Sequence, residues 1–129
     1  MEKWNYYPLV SIGKISFGMK RSELRNEFIN KYEEFEKNKF SKNTTDDFGK
    51  FHVYYSAEDL VEAVEIFEGI EVEFEGKIIF PSSIDRLKKA FCNLEQDGDC
   101  YLQIENSFGI YAPNGKIESI LMGCKGYYA

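Results

Sequence analysis

The chain has 129 residues and a mass of 15.0 kDa, the size of one domain. Hydrophobic residues make up 43% and aromatic residues 16%, which excludes a disordered chain. The formal net charge is −6, so a phosphate backbone is repelled unless a local basic patch overrides the balance, and nucleic-acid binding is disfavoured.

The amino-terminal run MEKWNYYPLVSIGK has no apolar stretch of signal-peptide length and no small-residue cleavage site. It has no lipid-attachment cysteine, and no segment reaches the ~20 apolar residues of a membrane-spanning helix. The expectation is a cytoplasmic protein with no membrane partner. Next comes a short strand around Ile15, then Gly18 and Met19. Gly18 suits a tight strand-to-helix turn, and Met19 a core plug. Leu24, Phe28, Tyr32 and Phe35 fall at helical spacing and predict the first helix. The polar run Asn43, Thr44, Thr45, Asp46 and Asp47 reads as a loop. FHVYYS, residues 51–56, and VEAVEIF, residues 61–67, read as strands. Ile70, Val72 and Phe74 alternate with Glu71, Glu73 and Glu75, the period of a strand with one buried face. GKIIF follows, and then a second helix on which Ile84, Leu87, Phe91 and Leu94 share a face. Ser82 with Asp85 fits a capping box opening that helix. Residues 95–99 read as an acidic loop leading into a strand at 101–104. Pro113-Asn114-Gly115 signals a hairpin turn between the last two strands.

Two segments align without a gap, GKISFGMKRSELRNEF at 13–28 and GKIIFPSSIDRLKKAF at 76–91. Six of the sixteen pairs are identical, including Gly13/Gly76, Phe17/Phe80 and Leu24/Leu87. The chain therefore reads as a single domain over 1–129 with internal repeats at about 8–68 and 70–126, each a strand, a helix and two strands. The fold class expected is α+β, an antiparallel sheet with two helices packed on one face.

Charge is unevenly placed. Residues 51–76 hold eight acids and no Lys or Arg, giving −8 inside this window and +2 outside it. The acids are Glu58, Asp59, Glu62, Glu65, Glu68, Glu71, Glu73 and Glu75. Glu71, Glu73 and Glu75 project from one strand face as a row, at about 6.5–7 Å spacing. Such a row is either a solvated face with cross-strand lysines or a docking surface for a basic protein. A calcium site fits it less well, since that wraps oxygens around a point.

Catalytic patterns are missing. His52 is the only histidine, and no G-x-S-x-G, G-x-x-x-x-G-K-[ST] or G-x-G-x-x-G run occurs. Carboxylates are plentiful, but nothing singles out an acid pair of the glycosidase kind. Cys92, Cys100 and Cys124 form no C-x-x-C pair and read as reduced, mostly buried residues. The expectation is no enzyme, no cofactor and no metal. Tyr6-Tyr7, Tyr54-Tyr55 and Tyr127-Tyr128 come as adjacent pairs. In a strand such a pair places one ring in the core and the other outside, where tyrosine serves as an interface anchor.

Ile12-Gly13-Lys14-Ile15-Ser16-Phe17-Gly18-Met19 followed by Ser22-Glu23-Leu24-Arg25 resembles the G-x-I-x-[LF]-G-M-[ST]-x-x-E-[VL]-[RK] opening of small bacterial immunity proteins. These belong to polymorphic and contact-dependent growth-inhibition toxin systems. The ending, with Gly115-Lys116-Ile117-Glu118-Ser119-Ile120 and Gly123-Cys124-Lys125-Gly126-Tyr127-Tyr128, looks like that group too. The Gly-Met part also occurs in SmpA/BamE-type assembly lipoproteins, whose lipid-attachment cysteine is missing here. The chain departs from the pattern at Lys20, where the family has a helix-capping Ser or Thr; the first helix then starts later, at Ser22, or is capped by water. The resemblance implies an immunity protein that binds and neutralises a cognate toxin domain, acting as a monomer or weak homo-oligomer. A toxin nuclease is basic, which suits an acidic inhibitor. The partner-binding residues expected are Glu58, Asp59, Glu62, Glu65, Glu71, Glu73, Glu75 and Tyr54. A non-catalytic ligand- or peptide-binding module and a cytoplasmic assembly or scaffold protein stand as alternatives.

Overall fold

The computed structural model describes residues 2–28, 32–36 and 43–128. In chain order the strands are β1 (Glu2–Tyr7), β2 (Ser11–Ile12), β3 (Ile15–Ser16), β4 (Glu33–Phe35), β5 (Thr45–Asp47), β6 (Phe51–Tyr55), β7 (Val61–Ile66), β8 (Ile70–Phe74), β9 (Lys77–Phe80), β10 (Glu95–Asp97), β11 (Cys100–Gln103), β12 (Phe108–Tyr111) and β13 (Ser119–Gly123). Helix α1 (Arg21–Glu27) follows β3, and helix α2 (Ile84–Ala90) follows β9. The class is α+β, but the one expected sheet is two. A five-stranded sheet runs β3-β2-β1-β8-β9, and an eight-stranded sheet runs β10-β11-β12-β13-β7-β6-β5-β4. All neighbours are antiparallel except β1 and β8, which are parallel. A parallel pair needs a long crossover, and everything from β2 to β7 lies between these two strands.

Each helix leads into a four-strand meander rather than the two strands expected. The added strands are the polar ones. β5 occupies the segment read as a loop, and β10 occupies the acidic run at 95–97. Edge and near-edge strands need little apolar alternation, so the sequence pattern does not announce them. The two meanders meet at β7 and β13, with Ile66 opposite Ile120 and Val64 opposite Met122.

The helices are shorter than the apolar spacing implies. Phe28 and Phe91 are C-caps in extended conformation, and Phe35 belongs to strand β4. Leu24 and Leu87 are buried in the shared core, and Phe28 and Phe91 pack against it from outside the helices. The cap of α2 is Ser83 rather than Ser82, its Oγ accepting from the Arg86 N–H at 3.2 Å. Helix α1 begins at Arg21 with no side-chain cap on Lys20. A backbone bridge to Leu60 holds Lys20 extended instead.

The core lies between the sheets. Ile70, Val72 and Phe74 face it from β8, as their alternation requires. Trp4 meets Phe51 edge-on at 4.9 Å and Tyr6 meets Phe108 at 6.4 Å, so β1 links both sheets. Gly13 has φ +59, and a Cβ there would sit 2.7 Å from the Trp4 ring, so glycine is required twice over. Gly18, with φ +87, makes the turn into α1. The Pro113–Gly115 signal is a tight turn joining β12 to β13, with Asn114 at φ 57 and Gly115 at φ 79 in the left-handed region. The cysteines are free, but they are not the buried residues expected: Cys92 is exposed, and Cys100 and Cys124 are half-buried. Among the described residues no helix is long and apolar enough to cross a membrane.

A buried polar cluster ties α1 to the first meander. The fully buried Asp46 carboxylate accepts from Arg25 at 2.7 and 2.9 Å, from Tyr55 at 2.7 Å and from Arg21 at 3.2 Å. Arg21 is itself buried, stacks over the Tyr55 ring, and reaches Asp59 at 3.1 Å. Burial pushes the Asp46 carboxyl up. Hydrogen bonds from Arg25, Tyr55 and Arg21, with the Arg21 charge, more than offset this and hold it below the ordinary range.

Candidate functional site

The acids of the central window do not form one patch. Glu71 and Glu73 point away from the core on the five-stranded sheet, where Glu71 lies opposite Lys3 and Glu73 opposite Asn5. Lys3 Nζ is 3.3 Å from Glu73, so this row carries its own cation. Glu75 does not extend the row. It sits beyond β8 in the turn to β9, with φ 51. Glu58 and Asp59 occupy the turn between β6 and β7, where Asp59 pairs with Arg21. Glu68 lies in the turn between β7 and β8.

Glu62, Glu65 and Tyr54 come together elsewhere, on the outer face of the eight-stranded sheet. Glu65 alternates with the core residues Val64 and Ile66, so its carboxylate faces outward. It lies at the centre of the sheet, opposite His52 on β6 and Leu121 on β13. The Tyr54 hydroxyl donates to one carboxylate oxygen, and the Ser119 hydroxyl donates to the other at 2.7 Å. Tyr54 is therefore buried and holds Glu65 in place, rather than standing free as an anchor. Glu62 lies where the β6–β7 register shifts, between the pairs Tyr54–Ala63 and Tyr55–Val61. His52 is half-buried on the same face as Glu65. Phe67 lies 4.6 Å and Phe35 5.2 Å from its ring, and its Nε2 is 3.4 Å from Asp47.

Two tyrosines complete the face. Tyr127 and Tyr128 follow β13 in a turn that folds back onto the sheet. The Tyr128 hydroxyl donates to the Leu121 carbonyl at 3.3 Å. Two strand glycines make room for them. A Cβ on Gly123 would lie 2.6 Å from Tyr127, and one on Gly109 would lie 2.7 Å from the Tyr128 hydroxyl. Tyr127, Tyr128, Tyr111, Leu121 and Leu102 then wall an open cleft of about 340 Å³ that has Glu65 among its lining residues. The expected inward–outward split holds for Tyr6 and Tyr7, which are 2% and 58% exposed. Tyr54 and Tyr55 are both buried instead, because the outer face at Tyr54 is covered too.

The field at this face is negative. Burial, then the Glu62 and Glu65 charges, push the Tyr127 hydroxyl up to about 12. Burial pushes the Cys100 thiol up, and Asp97, Asp99 and Glu65 push it further. Burial and Glu62 do the same to Cys124. Raised thiols are poor nucleophiles at neutral pH, so neither cysteine is activated for covalent chemistry. Among the described residues no group of His, Cys, Asp and Glu is arranged to hold a metal ion. Sequence reasoning missed Gly109, Tyr111, Ser119 and Leu121 as site residues. The available signal was a pair of glycines inside strands close to a terminal tyrosine pair. No family model, no curated protein and no solved structure matches this chain.

Proposed function

We propose that this chain is an immunity protein, which binds a basic toxin domain and neutralises it. The outer face of the eight-stranded sheet is the docking surface in this reading. The observation that carries it is the Glu65 carboxylate. Two hydroxyl donors fix it on an aromatic face, and no Lys or Arg among the described residues forms an ion pair with it. A fixed charge with no counter-charge among the described residues suits a partner of opposite sign, for which it steers encounter and sets register. The resemblance of residues 12–25 to toxin-system immunity proteins supports the same class. Glu62 and Glu65 would bear on the partner and Tyr54 would position Glu65. Glu71 and Glu73, which face the other way beside Lys3, would play a lesser part.

We infer also that the halves are copies of one unit. Each runs strand, helix and antiparallel meander, and six of the sixteen aligned residues are identical.

A bacterial growth assay tests the function. The carboxy-terminal domain of the protein encoded directly upstream is induced alone and then together with this chain. Arrest by the domain alone, relieved by co-expression, is the expected result. An upstream product that does not arrest growth, or an arrest that co-expression leaves in place, overturns the reading.

A further inference from the structure

Resting on that reading, we propose that the cleft beside Glu65 is the seat of an arginine side chain of the partner, its guanidinium on the Glu65 carboxylate and among the rings of Tyr111, Tyr127 and Tyr128. The cleft is walled by aromatic and aliphatic groups and contains no Lys or Arg among its lining residues. Its charge is negative and comes from Glu65, with Glu62, Asp97 and Asp99 close enough to act on the neighbouring thiols and phenols.

The carboxylate is prepared for a planar donor. Tyr54 occupies one lone pair on the first oxygen and Ser119 one on the second, so each oxygen keeps an acceptor site. Two parallel N–H groups of a guanidinium fit such a pair, and the remainder of its flat surface stacks on phenol rings. An ammonium is a more strongly hydrated point charge and loses more on entering a half-dry aromatic cleft. Tyr111 is exposed, so its ring is available to the incoming group. The positions of Tyr127 and Tyr128 depend on Gly123 and Gly109, which leaves the cleft already built before the partner arrives.

The test uses the full chain, isotopically labelled, in a nuclear magnetic resonance titration with N-acetyl-arginine methylamide. N-acetyl-citrulline methylamide serves as the neutral isostere. Titration runs to about 50 mM, past the millimolar affinity of a single contact group. Saturable shifts of the Gly109, Leu121, Gly123 and Tyr128 amides with the arginine compound alone are expected. Glu65→Gln should weaken the affinity by about tenfold or more, equivalent to ~1.4 kcal/mol. Tyr111→Ala changes an exposed wall, serves where Glu65→Gln does not fold, and should weaken it too. Absence of saturable shifts at these amides, equal binding of the citrulline compound, or wild-type affinity in both variants overturns the proposal. The two ideas separate cleanly. Full growth rescue by the Glu65→Gln chain removes the arginine seat and keeps the immunity function. Arginine binding without any rescue removes the function and keeps the cleft.

Discussion

Arg25 grips Asp46 with two parallel hydrogen bonds, Nε to Oδ2 at 2.9 Å and the terminal nitrogen to Oδ1 at 2.7 Å. This fork joins α1 to β5. Arg21 completes a cation–carboxylate–cation arrangement around the same buried group. Removing the carboxylate leaves the buried Arg21 paired only with the exposed Asp59 and takes the acceptor from the buried Tyr55 hydroxyl; breaking a buried pair costs about 3–5 kcal/mol. Asp46→Ala should lose stability on that scale in denaturant unfolding, with the m-value unchanged. A loss under about 1 kcal/mol, the value of a surface pair, would show that the cluster is dispensable.

Stability should also fall in acid. The folded-state pKa of Asp46 lies below its unfolded value, so on acidification the unfolded chain takes up its proton first. The contribution is complete above the unfolded pKa of about 3.9 and is lost as pH falls through the folded value. Unfolding free energy measured from neutral pH down to about pH 2 should drop below pH ~4, and Asp46→Asn should flatten that drop. Parallel curves for the two proteins would assign the acid sensitivity to other carboxylates.

Gly123→Ala tests how the cleft is built. The new Cβ would lie 2.6 Å from both Cβ and Cγ of Tyr127, too close for real atoms, and Gly123 itself is in a central strand that cannot shift freely. Overpacking of this kind costs about 1–3 kcal/mol. Tyr127 should be displaced, and the Tyr128–Leu121 hydrogen bond should go with it. Hydrogen exchange would report faster exchange of residues 124–128, while β6 and β7 keep their protection. Unchanged exchange in the terminal segment would mean that Tyr127 finds another place on the face.

Legibility in the sequence followed burial. Strands with one apolar face, such as Ile70–Phe74, announce themselves, as does the Pro113–Gly115 turn; the helix starts do not, since α1 begins at Arg21 without a side-chain cap and α2 is capped by Ser83 rather than Ser82. β5 and β10 did not, since Thr45, Asp46 and Asp47 show no apolar alternation. Asp46 is buried only because two arginines from another element neutralise it, and that pairing is tertiary. The same holds for the site. Charge counting groups Glu62 and Glu65 with Glu71 and Glu73, which the stacking of two sheets sends to the opposite face. Phe28 and Phe91 reach the core from extended backbone, so their spacing from Leu24 and Leu87 mimics another helical turn that the helices do not have.

The turn between β1 and β2 carries local strain. Val10 N–H donates to the Tyr7 carbonyl at 2.9 Å, with Pro8 and Leu9 between them and Leu9 at φ 66. Proline second and positive φ third is the pattern of a type II turn, which favours Gly or Asn in the third place. Leu9 is exposed, 41%, so its side chain returns little by burial. Leu9→Gly should raise stability by about 1 kcal/mol, the cost of the left-handed conformation for a leucine less the entropy of a glycine. A thermal melt shows this as a higher midpoint. A lower midpoint would mean that Leu9 packs against the fold more than its exposure suggests.

The two acidic faces can be told apart by kinetics. If the toxin domain docks on the eight-stranded sheet, Glu62 and Glu65 steer its approach, whereas Glu71 and Glu73 sit behind the core and Glu73 is paired with Lys3. Association is the step most sensitive to long-range charge, and salt screens it over about 10 Å at 0.1 M. Replacing Glu62 and Glu65 together by Gln should therefore slow association by about tenfold at low salt and flatten its dependence on ionic strength. Replacing Glu71 and Glu73 together should leave the rate within about twofold, since charges beyond a screening length contribute little. Both double variants change the net charge equally, so a general charge effect would slow them alike. Equal slowing would remove the assignment of a face, and slowing confined to the Glu71/Glu73 variant would move the docking surface to the five-stranded sheet.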